Sequence, residues 1–185
     1  SYLNRVIYVC EMQKTRTAII VIIGDEVLSG RTLDTNTQTI ARMLGDKGIK
    51  VVETRTIPDD IDTIVATVRA VRPLADYVFT TGGIGPTHDD KTAEAMARAF
   101  DTKLERHAEA WARLEAHYGG LENINAGRAK MADIPVGAAL IDNPVSTAPG
   151  FILGNVYVMA GVPRIMQAMM EGLLPKLEGG AVIHS

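Results

Sequence analysis

Residues 18–23, Ala-Ile-Ile-Val-Ile-Ile, form an unbroken apolar run rich in β-branched side chains. That pattern predicts a strand buried on both faces of a parallel sheet. Downstream the period lengthens. Asp34 or Thr35 is placed to cap a helix whose inward face carries Ile40, Met43 and Leu44, ending at Gly48. Residues 50–57 read as the next strand. Asp59 or Asp60 then caps a second helix, with Ile61, Ile64, Val65, Val68 and Val71 at helical spacing and Pro73 as its stop. Tyr77-Val78-Phe79 is a third strand and residues 93–100 a third helix. Strand–helix alternation of this kind predicts a three-layer α/β/α fold with a mostly parallel sheet and right-handed crossovers.

The second half is less regular. His107, Trp111, Leu114 and Tyr118 recur at helical spacing, which predicts a helix that packs on the body of the protein, broken by Gly119-Gly120. Residues 128–132 read as a short helix before Pro135. Residues 138–142, 151–153 and 156–159 read as short strands, and Pro163 opens a final helix through Ile165, Met169, Leu173 and Leu177. The expected layout is a single domain over 17–178, an N-terminal extension over 1–16 and a tail over 179–185. Met12 is a natural start for the core pattern, and Gly179-Gly180 marks a place where a further segment would follow.

Composition narrows the function classes. With 185 residues and 46% hydrophobic side chains, the chain can bury a substantial core. A net charge of −3 gives no basic excess for nucleic acid. No apolar run approaches the roughly 20 residues that cross a bilayer, and the first residues lack the long apolar core of a signal peptide. Cys10 is the only cysteine, so an intrachain disulfide and a cysteine-built zinc site are both excluded. A cytoplasmic protein is the expectation.

Candidate chemistry gathers where strands end. Thr80-Thr81-Gly82-Gly83-Ile84-Gly85-Pro86-Thr87-His88-Asp89-Asp90 follows the third strand and leads into a helix. Glycines let the backbone approach an anion, and N–H groups near a helix start carry partial positive charge toward it. Adjacent aspartates offer the oxygen ligands that Mg²⁺ takes beside phosphate. The first strand ends in Gly24-Asp25-Glu26 with Ser29-Gly30, and the second in Pro58-Asp59-Asp60. In open parallel sheets, ligands sit beyond the carboxyl ends of the strands, so the three clusters are expected to share one edge.

With these residues in hand, the chain resembles the molybdopterin-binding (MoaB/Mog) domain family, and within it the N-terminal domain of CinA-like proteins. The matching pieces, in order, are the Gly24 to Gly30 segment, Asp34-Thr35-Asn36, Ile57-Pro58-Asp59-Asp60, the Thr80 to Asp90 loop, Asn143-Pro144-Val145-Ser146-Thr147-Ala148-Pro149-Gly150 and Gly161-Val162-Pro163. Each is weak alone; their order is specific. The resemblance implies binding of molybdopterin or a nucleotide and action on a phosphoanhydride bond. In the CinA-like branch that is metal-dependent hydrolysis of ADP-ribose to AMP and ribose 5-phosphate. In the Mog-type branch it is adenylylation of molybdopterin by Mg-ATP. A non-catalytic nucleotide- or pterin-binding module is a third reading.

Carried onto this chain, the resemblance makes Asp59 and Asp90 catalytic and ligands of a divalent ion (Mg²⁺, Mn²⁺ or Co²⁺). It makes Gly24, Asp25, Glu26, Ser29, Gly30, Asn36, Thr81, Gly82, Gly83, Gly85, Pro86, Thr87 and Asp89 substrate-binding. Bland roles stand beside these: Asp90 and Asp60 as helix caps, the glycines as a strained turn, and Asn36 as a first-turn capping partner. His107, Trp111 and Tyr118 read as packing rather than stacking, and Met166, Met169 and Met170 as core. Two departures stand out: Ala160 where the family has proline, and Ser146 where it has glycine. No Lys or Arg is expected inside the acidic loops; Lys91 is the closest in sequence to the glycine loop. The family also implies a homo-oligomer, a dimer or a trimer.

Overall fold

The computed structural model describes residues 15–179. The readings made for Met12 and for the tail beyond 179 lie outside the described residues. The first strand, β1 (Arg16–Ile23), pairs in parallel with β2 (Ile49–Ile57) on one side and β3 (Tyr77–Thr81) on the other. Parallel neighbours need long crossovers, and helices supply them. After a four-residue turn of helix, α1 (Asp25–Leu28), the chain runs through α2 (Asn36–Asp46) into β2, and through α3 (Ile61–Val71) into β3.

Beyond β3 come α4 (Thr92–Ala99), β4 (Leu104–Arg106), α5 (Ala108–Tyr118), α6 (Ala126–Lys130) and β5 (Asp133–Pro135). They are followed by β6 (Ala139–Ile141), β7 (Gly150–Leu153), β8 (Val156–Met159) and α7 (Pro163–Leu173). The main sheet has the order β2-β1-β3-β8-β7-β6. β8 is parallel to β3, and the β7 and β6 pairings are antiparallel.

Alternation along β1 shows why its run is apolar throughout. Ala18, Ile20 and Ile22 pack on one face with Ile40 and Leu44 of α2 and with Met166, Met169 and Met170 of α7. Ile19, Val21 and Ile23 pack on the other face with Ile64 and Val68 of α3, Met96 of α4 and Leu114 of α5. Both faces of the strand are covered, as the three-layer reading requires. The three methionines are fully buried core residues. Trp111 packs at the edge of the second cluster under the Arg106 guanidinium, 4.5 Å from the ring centroid.

The structure refines the sequence reading at several points. Asp60, not Asp59, caps α3, its carboxylate accepting the Thr63 N–H at 2.9 Å. Thr35 holds the N-cap position of α2 without a side-chain bond, and Asp34 does the capping chemistry, accepting N–H groups of Asn36 and Thr37 at 2.9 and 3.3 Å. Lys91 holds the N-cap position of α4, so the alternative of Asp90 as a helix cap is set aside. The short helix lies at Ala126–Lys130, two residues before the expected span. A second, two-stranded antiparallel sheet, β4 with β5, has no counterpart in the expectation. Three-residue strands carry too little alternation to be read.

Candidate functional site

The carboxyl ends of β1, β2, β3 and β8 lie at one sheet edge and are tied together there. Gly24 N–H donates to Ile57 O at 3.0 Å, and Gly82 N–H donates to Met159 O at 3.1 Å. Gly82 and Gly83 both have left-handed backbones, with φ of 102° and 73°. A Cβ on Gly82 would run into the Ile23 carbonyl oxygen, and one on Gly83 into Thr92 Oγ1. These two glycines are required by turn and by space together. Thr92 staples the turn from the start of α4: its N–H donates to Gly83 O and its hydroxyl to Gly82 O, both at 2.9 Å. The next three backbone N–H groups, of Gly83, Ile84 and Gly85, donate to no acceptor among the described residues.

This loop walls a cavity of about 620 Å³. Asp25, Glu26, Asp59, Asp89 and Asp90 line it, and among the described residues Arg31 is the one cationic side chain that does. Gly82, Gly83, Gly85, Pro86 and Thr87 line it too, so ten of the residues singled out in the sequence surround one space. Asn36 and Thr81 lie off it, at a pocket of about 50 Å³ that shares Glu26 and Gly161 with the larger one. Asn36 Nδ2 donates to Gly161 O at 2.8 Å and to Thr81 Oγ1 at 3.4 Å, while its Oδ1 is buried without a partner among the described residues. Gly24 precedes α1, Gly30 turns the chain at φ 77°, and Ser29 Oγ accepts from Arg31 Nε at 3.1 Å. These three support the cavity wall rather than line it.

Four carboxylates are held in defined places. Asp25 and Asp59 bond reciprocally, each backbone N–H donating to the other's carboxylate. Burial pushes the Asp59 carboxyl above the usual carboxylate range. The charges of Asp25, Glu26 and Asp90 push the same way, against the hydrogen bond from Asp25. Asp60, facing out, is held below that range by the Thr63 hydroxyl and N–H. Asp90 folds back on its own loop, Oδ2 accepting the Thr87 N–H at 2.8 Å and the Thr87 hydroxyl at 2.9 Å. That leaves Asp90 Oδ1 and Asp59 Oδ1 without protein donors among the described residues.

Among the described residues, no three or more acidic, His or Cys side chains converge into a ready-made metal cage. The all-oxygen donor set fits Mg²⁺ or a similar hard ion that keeps its waters and binds one or two carboxylates together with a ligand's phosphates. His88 stands outside this set, 93% exposed and 3.3 Å from Asp89. The departures noted in the sequence fall on the site: Ser146 and Ala160 both line the cavity. Ser146 Oγ accepts from Asn143 Nδ2 at 2.8 Å, and the following Thr147 takes a left-handed φ of 74°.

Two cations escaped the sequence reading. Arg31 directly follows Gly30, and its place beside the Gly24-Asp25-Glu26 turn was readable. Lys130 was not, because only folding brings it to the glycine loop, where its ammonium donates to the carbonyl oxygens of Thr87 and Asp90.

Comparison with known proteins gives the family. The pattern of the family described as "Probable molybdopterin binding domain" matches residues 19–179. The chain belongs to that family. Within the molybdopterin-binding domain family, a CinA-like protein of Desulfosudis oleivorans is 40% identical over 177 residues, which cover 91% of this chain and 43% of that protein. A protein of Caldivirga maquilingensis is 40% identical over 165 residues, 86% of this chain and 64% of the relative. The chain thus spans less than two thirds of these relatives' own lengths. Among solved structures, a CinA protein of unknown function from Thermoplasma acidophilum superposes with a TM-score of 0.81 at 34% identity, covering 87% of this chain and 98% of that one. The molybdopterin biosynthesis enzyme MoaB of Thermus thermophilus superposes with a TM-score of 0.58 at 21% identity, over 88% and 91% of the two chains. That second likeness shows the shared fold. The chain is a molybdopterin-binding domain of the CinA-like type that shares its fold with MoaB, and among the described residues no helix is long and apolar enough to cross a membrane.

Proposed function

We propose that this chain hydrolyses the phosphoanhydride of a nucleotide diphosphate such as ADP-ribose, with a divalent ion. The observation that carries the reading is the row of N–H groups at Gly83, Ile84 and Gly85 that find no acceptor among the described residues, in a loop lining a cavity with five carboxylates. Successive free N–H groups make an anion-binding concavity, and the carboxylates would repel a diphosphate unless positive charge came with it.

In this reading the loop amides take diphosphate oxygens, while the Arg31 guanidinium offsets charge from the opposite segment. Asp59 and Asp90 are the residues that would hold Mg²⁺, Mn²⁺ or Co²⁺. Such an ion neutralises phosphate charge and lowers the pKa of bound water. Water adds to one phosphorus as the bridging P–O bond breaks, releasing AMP and ribose 5-phosphate, with the proton leaving to solvent. Asp25 keeps Asp59 in place, and Asp89 and Glu26 set the field around the anion. The protein works in the cytoplasm as a homo-oligomer, a dimer or a trimer, and binds neither nucleic acid nor membrane.

The test is AMP release from ADP-ribose by the purified chain with each of the three ions. Turnover abolished by Asp90→Asn supports the assignment. Turnover unaffected by that change would defeat it.

The family match supports a second reading, adenylyl transfer from Mg-ATP to molybdopterin. The same loop would grip the nucleotide, with the pterin's terminal phosphate in place of water as acceptor. A third reading, ligand binding without turnover, draws on Ser146 and Ala160, which alter the cavity wall. Failure of ADP-ribose turnover with every ion shifts the assignment to these two, and adenylylated pterin formed from ATP separates them.

A further inference from the structure

Helix α6 meets the glycine loop at two points on one face. At Gly127 a Cβ would sit 2.5 Å from the Pro86 carbonyl oxygen, so a residue without one is needed for the helix to come this close. Three residues on, and therefore on the same side of the helix, Lys130 Nζ donates to Thr87 O at 2.6 Å and also to Asp90 O. Among the described residues, no carboxylate lies within ion-pairing distance of this ammonium. Its charge is turned to two backbone carbonyls. Charge-assisted hydrogen bonds of this kind are stronger than those between neutral groups.

The position of those carbonyls gives the contact its meaning. Asp90 N–H donates to Thr87 O at 3.2 Å, and Thr87 N–H and hydroxyl return bonds to the Asp90 carboxylate. This turn is closed on itself, and apart from Lys130 no hydrogen bond among the described residues ties it to the rest of the protein. The loop also runs between two spaces, the cavity of about 620 Å³ in front and a second of about 210 Å³ behind. Ile84, Leu104, Met131 and Phe151 line the rear space, and Lys130 lines it as well. A segment with room on both sides and only local bonds opens easily unless something outside it holds it. Among the described residues, Lys130 is the side chain that crosses from the body of the protein to do so.

We infer that Lys130 is a positioning residue. It fixes residues 85–90 against α6, and so sets where the Asp90 carboxylate and the free loop N–H groups stand relative to a bound phosphate. The second part rests on the reading of the loop as a phosphate cradle. A lysine suits the task because its ammonium is compact and has three donors, which can divide between two carbonyls.

The experiment compares the full chain with Lys130→Met and Lys130→Arg by two readouts. The first is amide hydrogen exchange without ligand. Lys130→Met is expected to speed exchange in the peptide covering residues 82–91 by roughly tenfold or more, with the β1, β3 and β8 peptides unchanged as the control for folding. Lys130→Arg, which can also donate to carbonyls, is expected to restore most of the protection. The second readout is calorimetric titration with inorganic pyrophosphate and Mn²⁺, where Lys130→Met is expected to weaken binding about tenfold and Lys130→Arg to recover it. Unchanged loop exchange in Lys130→Met overturns the inference. So does a loosened loop that binds pyrophosphate as tightly as the parent. If the parent itself binds no pyrophosphate, the phosphate-cradle reading fails, and the exchange data still decide whether Lys130 holds the loop.

Discussion

Asp25 and Asp59, 34 residues apart in sequence, each donate a backbone N–H to the other's carboxylate, at 3.2 and 3.1 Å. The exchange joins the end of β1 to the end of β2 through two acids that repel as charges, so the hydrogen bonds are offset by the proximity of the carboxylates. Burial and three neighbouring acids hold the Asp59 carboxyl up. A raised carboxyl favours the folded state most below its unfolded pKa, and that contribution is lost as pH rises through the higher folded value.

Replacing the charge while keeping the acceptor is therefore expected to stabilise the metal-free protein near neutral pH. Asp59→Asn, whose Oδ1 still accepts the Asp25 N–H, should gain less than about 1 kcal/mol because the site is partly solvated. That is a rise in Tm of about 2 °C in a chain of this size. The gain should shrink toward pH 4, where the parent's carboxyl is increasingly protonated. Melting curves in chelator at both pH values check this, and an equal or larger gain in acid would contradict it.

Thr80 sits fully buried one residue before the end of β3, and its hydroxyl has no partner among the described residues. An unsatisfied buried hydroxyl costs free energy, and valine has nearly the same shape. Thr80→Val is expected to raise stability by about 1 kcal/mol, read as a higher urea midpoint at unchanged m-value. A lower midpoint would show that the hydroxyl is satisfied in solution.

Gly83 and Thr92 should behave as one unit. Gly83→Ala meets both a left-handed backbone, worth about 1–2 kcal/mol, and the Thr92 hydroxyl in the space its Cβ needs. Thr92→Ala opens that space but strips the Gly82 carbonyl of its donor, a loss of about 1–3 kcal/mol. The double variant is expected to cost less than the sum of the singles, by more than about 0.5 kcal/mol. Simple additivity in denaturant titrations would show that the two side chains do not contend for the same space.

The features legible in the sequence were those written in consecutive residues. The apolar run of β1 announced a strand covered on both faces, because alternate residues each had a helix to meet. The glycine loop was legible because two of its glycines stand where a Cβ cannot. What could not be read depended on distant chain. β4 and β5 are three residues each and acquire meaning only by pairing. Asp90 looks like a cap in sequence, yet Lys91 occupies the N-cap position and the Asp90 carboxylate turns back to Thr87. Lys130 reaches the loop from 40 residues away. Spacing in sequence carries no trace of that contact.

Arg31 supplies the sharpest test of how the cavity handles charge. Five carboxylates line it, and a diphosphate entering on its own would meet several like charges at close range. Metal ions can offset part of that repulsion, and among the described residues Arg31 is the one cationic side chain lining the space. Its Nε is held by Ser29 Oγ, which orients the guanidinium and leaves its other N–H groups free of protein carboxylates among the described residues. Arg31→Gln should therefore weaken phosphate binding far more than it changes folding. The expected result is a tenfold or greater rise in KM for ADP-ribose, about 1.4 kcal/mol, with Tm within about 1 °C of the parent. Arg31→Lys keeps the charge but loses the bidentate fork, and should fall between the two. The loss should also deepen at low salt, where unscreened carboxylate repulsion is strongest. Michaelis curves at two ionic strengths separate the cases. A change confined to kcat would place Arg31 on the transition state rather than the bound substrate, and no change in either constant would remove it from the site.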